Sequence, residues 1–354
     1  MGKKRKTLPK DFQQMIDAGD IEALKSVFDT CDVEAVGGYH KTSALSAHRV
    51  PGELVRFLVG RGADINAADQ TYEQTALHYH AGCRGGDLAV FLELGADANA
   101  RDRDGDTPLH IAAWCSHSVR MVTQLIAYGA DPAAENDGGR TPLSMALGCC
   151  EPIDVEGMAD IADILLKAGS PLTPDMSESV TRIGKEFEFH RPSIPPGRTA
   201  AAEAALERLY RAFGVEPAER RVMHDGVSPI VPAPGKPMDQ HRELWGLLIP
   251  SKGAAGTVQG EVIRITGRVH DELSRNGGVN WDAPFRDVLD ALTAHLSSGE
   301  PLASAELEES RALAKKLQKN GQGGDEAVRL CELAVRWVVL NTLPIPLEEP
   351  GYGI

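Results

Sequence analysis

The chain has 354 residues, 42% hydrophobic and 25% charged, which suits an ordinary globular protein with room for two domains. Its net charge is −14; the first ten residues hold five cations and no acid, so the rest stands at −19, a charge that repels a phosphate backbone and argues against a nucleic-acid partner. No apolar run approaches the roughly 18 residues needed to cross a bilayer, the basic start Met1–Lys6 leads into no apolar segment of a secretion signal, and six cysteines without a Cys-x-x-Cys pair read as reduced thiols of a cytoplasmic protein.

In chain order, residues 1–7 are expected to be a disordered basic tail, either a solubilising end or an import signal. Residues 8–36 carry an amphipathic trace: Phe12, Met15, Ile16, Ile21, Leu24, Val27 and Phe28. From there two word ladders run at one period. The first is Ser43-Ala44-Leu45-Ser46, Thr75-Ala76-Leu77-His78, Thr107-Pro108-Leu109-His110 and Thr141-Pro142-Leu143-Ser144, with steps of 32, 32 and 34 residues. The second, out of phase, is Gly62-Ala63-Asp64, Gly95-Ala96-Asp97, Gly129-Ala130-Asp131 and Gly169-Ser170. Two ladders at one period imply stacked repeats, each too small to bury its apolar face alone. Thr caps a helix and Pro suits its first turn, whereas Gly takes the left-handed turn that ends the second helix.

These words resemble the ankyrin repeat. Residues 102–134 carry the fullest copy, with Asp102, Gly105, the Thr-Pro-Leu-His word, Ala112-Ala113, Leu125-Ile126 and Gly129-Ala130-Asp131. The resemblance covers residues 8–174 and implies an all-α solenoid of about five helix–turn–helix units with hairpin tips, the first unit a degenerate cap. The fifth unit carries an insertion at Glu151–Glu156. His48 and His80 stand where the repeat has a small Ala. They are expected to bond each other or a backbone group, not to hold a metal.

Near Pro171–Pro174 the repeat signal stops, and residues 175–354 read as an all-helical domain docked on the last repeat. The periodicity predicts helices over 176–187, 199–213, 239–248, 256–275, 284–296, 303–319 and 325–340. The clearest stripe is Val258, Val262, Ile265, Val269 and Leu273. Phe187-Glu188-Phe189-His190-Arg191, Met223-His224-Asp225-Gly226, Glu243-Leu244-Trp245, Gln259-Gly260-Glu261 and Asn276–Asp282 make this half similar to a helical region that follows short ankyrin arrays in uncharacterised bacterial proteins. That similarity brings no activity with it.

Function divides into two classes. What the ankyrin resemblance implies is a non-catalytic module that binds a protein partner on its hairpin tips and on the concave face of its first helices. The partner-facing residues expected on that ground are Tyr72, Arg103, Asp104, Asp106, Ile111, Trp114, Cys115 and Arg140; Tyr39, His40 and Lys41 make a further tip. Trp114 is the sharpest of these, a large aromatic where the family faces solvent; otherwise it packs on its neighbours or under the insertion. Tyr72 has a weaker claim, since Glu73 replaces an expected Gly and its tip is open to distortion. Cys83, Cys115 and Cys149 share one phase, a column of small groove-lining residues or accessible thiols. The alternative class is an enzyme or a toxin-associated or immunity factor, active in the helical half, with the repeats choosing its target. His224, Asp225, His241, Glu261, His270, Asn280 and Asp282 are the residues to test for that chemistry. Each also suits a turn, a cap or a helix start, no nucleophile, metal or phosphate motif assembles, and no cofactor is expected.

Overall fold

The computed structural model describes residues 4–38, 41–83, 87–116, 118–320 and 323–347, except the side chains of residues 115, 116, 196 and 320. The chain divides into two units, residues 1–187 with 195–218, and residues 188–194 with 219–354.

The first unit is a row of helix pairs. Helices α1 (Phe12–Ala18) and α2 (Ile21–Thr30) form the degenerate first repeat. Phe12, Ile16, Leu24, Val27 and Phe28 of its amphipathic trace are buried, and the rings of Phe12 and Phe28 meet edge to face at 6.1 Å. A single turn at Ala44–Ser46 and α3 (Gly52–Gly60) make the second pair, and α4 (Ala76–Ala81) with α5 (Ala89–Glu93) the third. The fourth is α6 (Pro108–Ile111), running into a π-helical turn at Ala112–Ser116, with α7 (Val119–Ala127). The fifth is α8 (Pro142–Cys149) with α9 (Val155–Ala168), separated by the expected insertion.

One expectation is corrected here. Arg5–Thr7, placed in a disordered tail, is a strand, β1, that pairs in parallel with β2 (Cys31–Gly37). The same β2 pairs antiparallel with β3 (Thr42–Ser43), giving a three-stranded sheet at the start of the array. Lys4 Nζ also bonds Phe28 O at 2.7 Å, so the basic segment is tied down from Lys4 onward. Beyond the array, α10 (Pro174–His190) up to Phe187 and α11 (Pro196–Phe213) pack within the first unit as a further, longer pair. Val180, Ile183, Phe187, Ala205 and Leu209 are buried there. Arg182 on α10 donates to the carbonyls of Leu147 and Gly148 at 2.9 and 3.0 Å, and to Cys150 O at 3.3 Å, satisfying the open C-terminal end of α8.

The second unit is helical throughout its described elements: α12 (Pro237–Leu248), α13 (Val258–Ser274), α14 (Ala283–His295), α15 (Ser304–Asn320) and α16 (Gly324–Leu340). The stripe read from the sequence is the core: Val262, Ile265 and Val269 are fully buried with Val288, Leu289, Leu330 and Trp337. Two buried polar groups organise it. Gln259 donates to Asn341 O and Leu343 O and accepts from Ile345 N, pinning the segment after α16. Glu261 and Arg264, essentially without solvent exposure, form a forked pair at 2.6 and 2.9 Å.

Candidate partner-binding face of the repeats

Each tip is built around one side chain that gathers the loop's amides. Asp69 accepts from the N–H groups of Thr71, Tyr72 and Gln74 at 2.6–2.9 Å. Asp102 accepts from Asp104 and Asp106, and Asn136 from Gly138 and Arg140. Burial opposes the charge of Asp69, but the bonds from Tyr72, Thr71 and Gln74 outweigh it and hold the carboxyl below its usual range. The tips are then stitched together. Arg103 N donates to Tyr72 O and Asp137 N to Asp104 O, while Gln74 reaches Asp102 and Asn136 reaches Asp106 by side-chain amides. Of these organising groups only Asp102 stood out in the sequence; Asp69 and Asn136 occupy its column, 33 residues before and 34 after, and that period is the signal that finds them.

The Thr-x-Leu-His words do a second job. In two of them the Thr amide donates to the His Nδ1, Thr75 to His78 at 3.2 Å and Thr107 to His110 at 3.1 Å. With Nδ1 accepting, Nε2 carries the proton and donates into the next repeat, to Asp106 O at 3.1 Å and Arg140 O at 2.9 Å. Burial, only partly opposed by those carbonyls, pushes both imidazoles below their ordinary pKa, so they sit neutral in one tautomer. His80 likewise meets the backbone, at Leu45 O, and stacks on Phe91 at 4.5 Å, so that residue is accommodated in the repeat packing. His48 faces Cys83 at 3.8 Å.

The expected partner-facing residues separate on this frame. Arg103, Asp104 and Arg140 are exposed, Tyr72 is 46% exposed and Trp114 is 40% exposed. Asp106 is buried, its carboxylate spent on Asn136, and Ile111 is buried against the Cα of Gly82. Neither offers a surface to a partner. The side chain of Cys115 lies outside the described residues, as do Tyr39 and His40. In the cysteine column Cys83 is half-buried and bonded to Tyr79 O, and Cys149 is exposed. The tip beside Tyr72 is not distorted: Glu73 adopts φ +58°, close to Gly105 at +76° and Gly139 at +69°. The amide bonds around Asp69 hold the left-handed turn that glycine takes more cheaply.

The residues tested for chemistry in the second half mostly resolve into local structure. Asp225 closes a turn onto the amides of Val227 and Ser228. Asp282 caps α14 at Phe285 N, Asn280 is held by Glu272, and Glu261 is locked in its pair with Arg264. His241 and His270 share a cleft with Asn280. Among the described residues no group of three or more His, Cys, Asp or Glu side chains has the geometry of a metal site, and no helix is long and apolar enough to cross a membrane.

A family model of ankyrin repeats, three copies, matches residues 43–136 and 80–175. The mouse protein named ankyrin repeat domain-containing protein 37 is 43% identical over 63 residues, which is 17% of this chain and 38% of that protein. The match thus spans well under half of that relative's length.

Proposed function

We propose, from the premise that residues 43–175 of this chain are ankyrin repeats, that the first unit is a protein-binding module whose contact surface runs along the repeat tips and onto Trp114. Ankyrin repeats generally serve to bind other proteins, which is the coarse part of the reading. The finer part rests on one observation: Tyr72 on the third unit's tip and Trp114 after the fourth unit's first helix are large exposed aromatics on units whose tips are already internally satisfied. Asp69, Asp102 and Asn136 consume the loop amides, so the tips are preorganised, and a partner meets a surface that loses little entropy on binding. Trp114 sits on a π-helical turn, an arrangement that inserts an extra residue and is common at functional positions. Aromatics of this kind anchor interfaces.

Charge narrows the partner. Residues 11–174 contain 25 acidic and 11 basic side chains, a balance of −14, whereas residues 175–354 stand at −5. The array therefore carries most of the negative field and favours a partner with a basic face. Five described cysteines are unpaired, in keeping with a reducing compartment such as the cytoplasm.

The test is Trp114→Ala in affinity capture from the native cell. A hot-spot role costs about 2 kcal/mol or more of binding, with little loss of stability because the ring is 40% exposed. Unchanged capture, or a large loss of stability with capture intact, would assign the ring to the fold instead.

A further inference from the structure

The second unit holds a cleft of about 700 Å³ lined by α12, α13 and the turn between α13 and α14. That volume lies within the ~300–1,000 Å³ range of small-molecule sites. Its walls are partly aromatic, from Trp245 and Phe285. Trp245 lies directly on α13 because residue 267 is glycine: a Cβ there would stand 2.6 Å from the indole Cε3 and 3.2 Å from the His241 Cε1.

Two groups in this cleft are left with unspent bonding capacity. His241 is 5% exposed, and its Nε2 lies 2.9 Å from Thr266 Oγ1. The threonine hydroxyl already donates to Val262 O at 2.9 Å, so it accepts from the imidazole, and Nε2 carries the proton. His241 Nδ1 is then a bare acceptor that meets no donor among the described residues, although the ring lines the cleft. Burial, reinforced by His270 nearby, pulls its pKa down to about 4, which keeps that lone pair free at neutral pH. The charges tell the same story. Of three arginines on the cleft, Arg242 is paired with Asp239 and Arg275 with Asp271, and the Glu272 carboxylate is filled by Asn276 and Asn280. Arg268 makes no ion pair or hydrogen bond among the described residues; Asp271 and Glu261 attract it only at longer range, so the donors of its guanidinium are unspent in the cleft.

We propose that this cleft binds a small organic anion with a flat ring and a hydrogen-bond donor: the anionic group meets Arg268, the ring lies against Trp245 and Phe285, and the donor bonds His241 Nδ1. A carboxylate and a phosphate monoester share this chemistry, and the experiment separates them. This site is independent of the repeat surface, so its failure leaves the protein-binding reading untouched.

The full chain is titrated calorimetrically with 4-hydroxybenzoate, 4-hydroxyphenyl phosphate, inorganic phosphate and benzylamine. Saturable one-to-one binding of either aromatic anion is expected, at least tenfold tighter than inorganic phosphate, with no binding of benzylamine. The tighter of the two aromatic anions identifies the head group. Arg268→Gln is expected to weaken that binding at least tenfold while leaving the unfolding midpoint unchanged, since the guanidinium bonds nothing in the fold. Three results would overturn the proposal: no binding of either aromatic anion, equal binding by Arg268→Gln, or inorganic phosphate binding as tightly as the aromatic anions.

Discussion

Replacing Gly105 with alanine strikes the point where one repeat tip rests on the next. The residue sits at φ +76°, and a Cβ there would come within 2.5 Å of Arg101 Nη2 and 2.8 Å of Asp137 N. Two costs add. The left-handed conformation costs a side chain about 1–2 kcal/mol, and pushing the Asp137 tip away costs a further ~1–3 kcal/mol, as overpacking does. Gly139→Ala is the internal control, because Gly139 has φ +69° but no atom within 4 Å of its missing Cβ, so it meets the first cost alone. The difference between the two variants, about 1–3 kcal/mol, measures the tip-to-tip contact. Hydrogen exchange on the full chain reads it locally, since Asp137 N bonds Asp104 O at 3.0 Å and should lose protection in Gly105→Ala but keep it in Gly139→Ala. Equal destabilisation and equal exchange in the two variants would refute the stitched-tip account, and with it the preorganised surface.

Acid should loosen the array through His78, His80 and His110, whose pKa values are depressed by burial. Their unfolded imidazoles take up a proton near pH 6.5 and the folded ones only at lower pH, so this stability is complete above about 6.5 and is lost as pH falls below it towards the folded values; a urea midpoint unchanged between pH 7.5 and pH 5 contradicts this. Native alkylation should modify exposed Cys149 and spare Cys150 and Cys331, both buried with thiols pushed up to about 12, until the protein unfolds; equal rates for Cys149 and Cys150 would disprove the placement of that pair. A fragment ending at 174 exposes the apolar end of the array, whereas one ending at 218 keeps α10 and α11 over it, so the shorter fragment should aggregate at concentrations where the longer stays soluble; equal solubility denies those helices a capping role.

Much of this fold was legible because the repeat words state their own structural jobs. Thr107 caps, Pro108 starts and Gly129 ends, and each does so at the position where it recurs. The seven helices read after residue 175 from apolar spacing all form, since amphipathic stripes such as Val262–Ile265–Val269 encode burial directly. What the words did not carry was longer in range. Strand β1 is short and charged, and only its partner β2, more than twenty residues away, makes it a strand. Nor did the words show how α10 and α11, which carry none of them, join the first unit by burying Ile183 and Leu209. At the candidate face, counting from the tetrapeptide led to Trp114, which is exposed, whereas Asp106, read as a tip residue, and Ile111 are buried. Asp106 is drawn inward by Asn136 of the following repeat, and Ile111 by the missing side chain of Gly82 in the preceding one. Neither partner is visible in a single copy.

Hydrogen exchange of the full chain, with and without its captured partner, reads whether the tips and Trp114 hold that partner. Added protection is expected over residues 70–74, 103–106, 112–116 and 137–140, with α3 and α7 unchanged. Protection confined to α3 and α7, or to residues 219–347, would contradict that placement.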